Sequence, residues 1–210
     1  LGAPASLYLA AAGVGTLLLA DDDSLHISNL QRQILYRTSD TDKPKAVLAQ
    51  RQLQALNPHS EAIALTERLS GDTLYHAVNR VDLVLDCSDN MTTRHAVNAA
   101  CFSAGKPLIS GSAVGFSGQL AVFTPPYHSG CYACLYPDTA EPQRNCRTAG
   151  VLGPVVGVIG TLQALEAIKL LAGMPSALEG KLRMFNGKQQ SWNTLQLTRA
   201  PHCPVCGGAA

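Results

Sequence analysis

Residues 19–33 read Leu-Ala-Asp-Asp-Asp-Ser-Leu-His-Ile-Ser-Asn-Leu-Gln-Arg-Gln, and this stretch is the most informative part of the sequence. It starts within an apolar run, residues 16–20, that is typical of a buried parallel strand. Three acids, residues 21–23, follow where that strand would end. Because ligands bind at the carboxyl ends of strands in an open α/β sheet, we expect a ligand site at these acids.

The spacing around the acids predicts a nucleotide. Asp21 lies 19 residues after Gly2, the distance at which an acid following a glycine turn hydrogen-bonds a ribose hydroxyl. Arg32 supplies a permanently charged planar fork that matches phosphate oxygens. We therefore expect the nucleotide to contact Gly2, Asp21 and the loop residues Ser28, Asn29, Leu30, Gln31 and Arg32.

The beginning of the sequence also carries information. Gly2 has the position of the last glycine in a Gly-x-Gly-x-x-Gly turn, and no initiator Met precedes it. In such a fold the strand before the turn is central. We expect that this strand and most of the phosphate loop belong to a longer protein.

Periodicity and turn residues predict alternating helices and strands. Helices are expected over residues 3–12, 44–56, 72–79, 89–104 and 155–171, and strands over 60–66, 81–87, 108–112 and 119–124, with a hairpin over 181–198. This order indicates one α/β domain over 1–210, with a Rossmann-like, mainly parallel sheet, added antiparallel strands and helices on both faces. The polar stretch between Pro125 and Pro154 predicts a long crossover loop, and loops of that length are usually functional.

Composition narrows the function classes. A net charge of +1 without a basic run gives no reason to expect nucleic-acid or membrane-surface binding. The sequence has no apolar run of 18 residues and no secretory start. A cytoplasmic protein is the simplest interpretation.

Two further residues are candidates for phosphate chemistry. Lys45 begins a helix, where a cation is unfavourable unless it meets a ligand, although a solvated surface lysine would have the same position. Asp89, followed by Asn90, comes after the second acid-ended strand. Asp89 is either the helix cap or a ligand of Mg²⁺, which prefers hard oxygen donors beside phosphates.

The seven cysteines form an odd set with two Cys-x-x-Cys hooks. Four thiolates saturate a zinc ion and leave no open position, so we expect a structural zinc that ties the long loop to the tail. A redox pair or unrelated thiols are the alternatives. His202 is expected to be a neighbour of the zinc, and Cys87 and Cys101 are expected to be inert apolar residues. The hooks consist of Cys131, Cys134, Cys203 and Cys206.

Cys146 differs from the other cysteines. It lies in the long loop between Arg144 and Arg147, two cations that favour a thiolate. A loop cysteine beside arginines can also be incidental.

Taken together, these motifs resemble the ThiF/MoeB (HesA) family of ubiquitin-activating-like adenylyltransferases. The resemblance rests on Asp-x-Asp, Ser-Asn-Leu-Gln-Arg-Gln, Pro-Lys, Asp-Cys-Ser-Asp-Asn and the two hooks, in order along nearly the whole chain. The stretch around Cys146, Asn-Cys-Arg-Thr-Ala-Gly-Val-Leu-Gly-Pro, is most similar to the ThiF branch, which serves thiamine biosynthesis.

The resemblance implies an activity and partners. It implies ATP-dependent adenylation of the C-terminal glycine of a ubiquitin-like sulfur carrier, followed by conversion towards a thiocarboxylate. Arg32, Lys45 and Mg²⁺ on Asp89 would neutralise charge, and Cys146 would link covalently to the carrier. It further implies a cysteine desulfurase or sulfurtransferase as sulfur donor, a homodimer, and a zinc-tethered tail over 199–210.

Three alternative functions remain at this point. A nicotinamide-dependent dehydrogenase shares the ribose acid and the glycine turn, but it does not explain Arg32, Lys45, Asp89 and the hooks together. A non-catalytic subunit of an activating heterodimer is compatible with the same fold. Within the family, the MoeB branch acts on a molybdopterin-synthase carrier.

Overall fold

A computed structural model describes residues 1–140, 142 and 146–208, without the side chains of Cys146 and Arg147. The helices are α1 (Gly2–Ala11), α2 (Lys45–Leu56), α3 (Gly71–Asn79), α4 (Met91–Ala104), α5 (Tyr132–Leu135), α6 (Cys146–Ala149) and α7 (Gly153–Leu171). The strands are β1 (Thr16–Ala20), β2 (Glu61–Leu65), β3 (Val84–Asp86), β4 (Leu108–Val114), β5 (Ser117–Phe123), β6 (Lys181–Asn186) and β7 (Ser191–Gln196).

The helix ends follow the local sequence signals. α1 stops before Gly13, whose φ of 87° is accessible to a residue without a Cβ. α2 starts directly after Pro44, and α7 carries a proline in its first turn. These predicted helices are confirmed to within about two residues.

The strands form parallel and antiparallel pairs, as expected for the α/β class. β1 pairs with β2 in parallel, and β3 pairs with β4 in parallel. From β4 to β7 every pairing is antiparallel. A tight turn through Gly115 joins β4 to β5, and a short turn after Asn186 joins β6 to β7, so both connections can only form hairpins. Among the described strands, antiparallel pairs are therefore more frequent than the sequence suggested.

The predicted single sheet is divided into two. β1 and β2 form one sheet, and β3 to β7 form the other in sequence order. A cavity of about 1440 Å³ extends along both β1 and β3. Within the described part of the chain, each of these two strands has a hydrogen-bonded neighbour on one side only. The central strand expected ahead of Gly2 stays a prediction.

α7 is the longest described helix and packs against another helix and two strands. It contacts α1, β4 and β5, and the buried Ile159, Ala164 and Ala167 lie at these contacts. Among the described helices it alone is long and apolar enough to cross a membrane, with a mean hydropathy of 1.5. Its packing inside the fold is that of a core helix.

Two local predictions need correction. β3 covers only residues 84–86, because the pairing with β4 begins at Val84 and residues 81–83 lie before it. The cap of α4 is Asn90, whose Oδ1 accepts a hydrogen bond from the Thr93 N–H at 2.8 Å. Asp89 therefore does not cap the helix.

Candidate functional site

The carboxyl ends of β1 and β3 both line the cavity. The residues that line it include Asp21, Arg32, Lys45, Asp89 and Asn90. Leu1 and Gly2 line it too, so the start of α1 reaches the cavity; a Cβ on Gly2 would lie 3.8 Å from the Cβ of Cys87. The fold thus brings together candidates that are up to 88 residues apart in the chain.

Asp21 is half-buried at the end of β1. Its backbone N–H continues the ladder to the Leu65 carbonyl, and its Oδ1 accepts a hydrogen bond from the Asp23 N–H at 2.9 Å. Burial raises the pKa of the Asp21 carboxyl, and the Asp23 N–H and Lys45 partly offset this effect. A carboxylate kept from water beside a cavity is a strong hydrogen-bond acceptor for a hydroxyl.

Lys45 is buried, in contrast to the surface alternative. Its side chain is 8% exposed, and its Nζ lies 3.1 Å from Oδ2 of Asp23, whose side chain is 69% exposed. Tyr36, whose pKa is raised by burial, donates a hydrogen bond to the Lys45 carbonyl at 3.2 Å. A buried ammonium held by an exposed acid can exchange that partner for an incoming anion.

The loop after the acids divides into two parts. Arg32 and Gln33 line the cavity, and Arg32 donates to the Ser28 carbonyl at 3.2 Å. The residues before them, Ser28 to Gln31, do not belong to the cavity lining. Asn29 instead accepts from the His26 N–H at 3.0 Å, and Gln31 donates to the Val151 carbonyl at 3.3 Å. The loop structure therefore places the arginine, and not its predecessors, at the cavity.

The end of β3 is held by a buried ion pair. Asp86 is 3% exposed, and its Oδ1 accepts hydrogen bonds from the N–H and the hydroxyl of Ser88 at 2.9 and 2.6 Å. Its Oδ2 lies 3.6 Å from Nη1 of Arg94, a residue of α4 that is 7% exposed. Asp89 is exposed at the cavity, with its Oδ1 3.5 Å from the amide of Asn90.

The four hook cysteines meet in one cluster. The sulfur atoms of Cys131 and Cys203 are 3.7 Å apart, and those of Cys134 and Cys206 are 3.3 Å apart. All four sulfurs lie within 4.8 Å of one another. Zinc bound tetrahedrally at about 2.3 Å requires sulfurs roughly 3.8 Å apart, so the cluster fits that ion.

Neighbouring groups orient these sulfurs. The Asn98 amide donates to Cys131 Sγ at 3.4 Å while its oxygen accepts from the Tyr132 N–H. Burial raises the pKa of the Cys203 thiol, but hydrogen bonds from the N–H groups of Val205 and Cys206 and from the thiols of Cys134 and Cys206 together lower it to about 7. His202 is exposed and outside the cluster, as expected.

The structure describes the side chains of Cys87 and Cys101 but not that of Cys146. Burial raises the pKa of the Cys87 thiol to about 11 and that of Cys101 to about 12, so neither is a thiolate at neutral pH. Cys146 begins the short helix α6. Its side chain, Arg144 and the side chain of Arg147 lie outside the described residues.

Three buried polar residues were not singled out from the sequence. Arg94 and Asn98 follow Asn90 at intervals of four, so one face of α4 serves both the cavity and the cysteine cluster. The four-residue spacing of these polar residues could have indicated from the sequence that they share one face of the helix. Gln163 of α7 is fully buried and donates to the carbonyls of Asp86 and Ile109. A glutamine in an apolar helix gave no indication of its partners.

The described residues define an α/β protein with a cavity lined by the carboxyl ends of two strands, and with a four-cysteine cluster. The model of the ThiF family matches residues 1–205, and the chain belongs to that family. The resemblance inferred from the motifs is confirmed.

Curated relatives are similar to this chain over nearly its whole length. The chain is 62% identical to the sulfur carrier protein ThiS adenylyltransferase of Escherichia coli, over 100% of this chain and 83% of the relative. It is 43% identical to the sulfur carrier protein adenylyltransferase of Thermus thermophilus, over 99% and 79%. It is 44% identical to the molybdopterin-synthase adenylyltransferase of E. coli, over 99% and 83%.

Solved structures share the fold. The crystal structure of E. coli MccB with ATP superposes with a TM-score of 0.81 at 24% sequence identity. The match covers 98% of this chain and 63% of that chain. This likeness concerns the fold alone.

Proposed function

We propose that this protein adenylates the C-terminal glycine carboxylate of a ubiquitin-like sulfur carrier with ATP and releases pyrophosphate, in the manner of a ThiS adenylyltransferase. The observation that supports the proposal is that Asp21, Arg32, Lys45 and Asp89 line the same cavity. The 62% identity to a named ThiS adenylyltransferase supports the choice of substrate. The product would enable thiocarboxylate formation for the thiazole of thiamine.

The arrangement suits a reaction between two anions. A glycine carboxylate is already ionised at neutral pH, so the step needs cations and alignment more than a base. The carboxylate oxygen attacks the α-phosphorus, the bond to the pyrophosphate oxygen breaks, and pyrophosphate leaves with the electron pair. Arg32 and Lys45 would face the phosphates, and Asp21 would accept from the ribose.

The residues at the end of β3 fit magnesium. Asp89 offers an exposed carboxylate at the cavity, which is the hard oxygen donor that this ion prefers. Bound there, magnesium would neutralise charge on the leaving pyrophosphate. The cysteine cluster would hold a structural zinc through four thiolates and would take no part in the chemistry.

The sulfur step is proposed at Cys146. The acyl-adenylate is a mixed anhydride, and a thiolate or persulfide on Cys146 would attack its carbonyl carbon and displace AMP. Arg144 and Arg147, adjacent in sequence, would favour the ionised sulfur. The sulfur donor, the homodimer and the cytoplasmic location belong to the same proposal.

The test is ATP–pyrophosphate exchange on the full-length protein with a ThiS-like carrier. We expect exchange that depends on the carrier and disappears when its last glycine is deleted. Lys45→Met should lower the exchange rate about a hundredfold, because a buried cation facing the phosphates is removed. A molybdopterin-synthase carrier is the comparison substrate, and faster exchange with it would overturn the proposed substrate.

Cys146→Ser separates the two steps. The variant should keep exchange within a few-fold of the wild type and lose any reducible covalent adduct with the carrier, because the thiol acts after pyrophosphate has left. Mass spectrometry with and without reductant measures the adduct. Cys101→Ser, which removes a buried thiol, is the control. An unchanged adduct in Cys146→Ser would remove this residue from the mechanism.

A further inference from the structure

The loop that carries Asp89 and Asn90 is only four residues long, between the end of β3 and the start of α4. A loop this short takes its shape from the groups that hold its two ends and its middle. Asn90 fixes the far end by capping α4. The near end and the middle are held by three residues to which neither the family likeness nor the sequence gave a role.

The near end is shaped by Asp86 and Ser88. One carboxylate oxygen of Asp86 accepts from both the N–H and the hydroxyl of Ser88, at 2.9 and 2.6 Å. Hydrogen bonds to a buried carboxylate are stronger than those between neutral groups. This pair of bonds folds the chain back immediately before Asp89.

The middle of the loop is held by Arg94. Its Nη2 donates to the Ser88 carbonyl at 2.6 Å, and its Nη1 donates to the Gly111 carbonyl of β4 at 2.9 Å. Nη1 also lies 3.6 Å from the other oxygen of Asp86. One buried guanidinium thus joins the loop to β3, β4 and α4.

We propose that Asp86, Ser88 and Arg94 form a clamp that holds Asp89 and Asn90 in the conformation that binds magnesium with ATP. The inference rests on the proposed function, because it deepens the role of Asp89. All three are positioning residues: they act through the loop and not on the reacting atoms. The clamp lowers the cost of ordering the loop when the ion arrives.

Ser88→Ala tests the clamp with a small change. It removes one hydroxyl and its 2.6 Å bond to Asp86. The matched control is Ser176→Ala, which removes a hydroxyl that makes a 2.6 Å bond to Glu166 outside the cavity lining. Ser88→Ala should raise the magnesium chloride concentration that half-saturates the exchange reaction by about tenfold to a hundredfold, the range that corresponds to the loss of a charged hydrogen bond. Ser176→Ala should leave that concentration unchanged.

A double-variant cycle separates positioning from simple destabilisation. If the clamp acts through Asp89, Ser88→Ala should have no further effect on the magnesium requirement once Asp89→Asn is present. If Ser88→Ala only destabilised the fold, its effect on the magnesium requirement would multiply with the effect of Asp89→Asn. Arg94→Lys keeps the charge but loses the fork, so its magnesium requirement should lie between wild type and Arg94→Met. If Arg94→Met does not fold, Ser88→Ala and its cycle still decide.

Equal magnesium requirements for Ser88→Ala and wild type, or full multiplication in the cycle, would overturn the clamp. Absence of exchange in the wild type would instead refute the proposed activity. In that case, calorimetric titration of ATP at several magnesium chloride concentrations measures the same metal dependence without turnover. Ser88→Ala must again differ from Ser176→Ala for the clamp to stand.

Discussion

Gln163 is a buried polar contact between α7 and the functional end of β3, and its replacement gives a sharp stability prediction. Its side chain is fully buried, and its Nε2 donates to the carbonyls of Asp86 and Ile109 at 2.8 and 3.1 Å. Gln163→Leu keeps the size of the side chain and removes both donors. Each neutral hydrogen bond contributes about 0.5–1.5 kcal/mol, so the free energy of unfolding should fall by about 1–3 kcal/mol.

Urea unfolding followed by circular dichroism measures this loss. In a protein of this size each kcal/mol lowers Tm by about 2–4 °C, so thermal melting gives an independent check. The control is Gln54→Leu, an exposed glutamine of α2 with one bond to the Ser60 carbonyl, which should change stability by less than about 0.5 kcal/mol. Equal unfolding midpoints for Gln163→Leu and wild type would refute the role assigned to these bonds.

Gln163→Glu adds a pH test of the same contact. The carboxyl it introduces would face two carbonyl oxygens in a buried site, so its pKa in the folded state would be raised above the unfolded value of about 4.3. A raised folded pKa contributes stability that is fully present below the unfolded pKa. That stability is lost as the pH rises through the folded pKa. Gln163→Glu should therefore lose stability relative to wild type between acidic and neutral pH.

Three further predictions concern the cysteine cluster, the nucleotide residues and acid stability. Cys203→Ser should lose the zinc measured by elemental analysis and lower Tm more than it alters nucleotide affinity, because structural zinc binding is folding energy. Asp21→Ala should weaken ATP binding by about 1.5–3 kcal/mol in calorimetry. Arg32→Ala should chiefly slow exchange at saturating ATP, by about a hundredfold; a change in affinity alone would contradict its role. The Arg51 hydrogen bond at 2.7 Å lowers the pKa of Asp40, whose stabilisation is present above the unfolded pKa and lost as pH falls through the folded one. Arg51→Gln should therefore flatten the acid limb of the stability profile.

The helices, the strands and the acidic residues at strand ends could be predicted from local sequence patterns. Asp21 and Asp89 could be placed because an apolar run followed by acids is a local pattern, and because the ends of parallel strands share one edge of a sheet. The two hooks could be paired because Cys-x-x-Cys spacing is itself a ligand geometry. Helix boundaries followed from Pro44 and Gly13, whose effects act within one turn.

Hydrogen bonds between residues far apart in the chain could not be predicted from the sequence, because they depend on how the elements pack. Whether Asp89 or Asn90 caps α4 depends on a difference of one residue, and the hydrogen bond to Thr93 settles it. The bond from Arg94 to Gly111 spans 17 residues, and that from Gln163 to Asp86 spans 77. A sequence pattern records which face of an element is buried, but the partner on that face is fixed by packing between elements far apart in the chain.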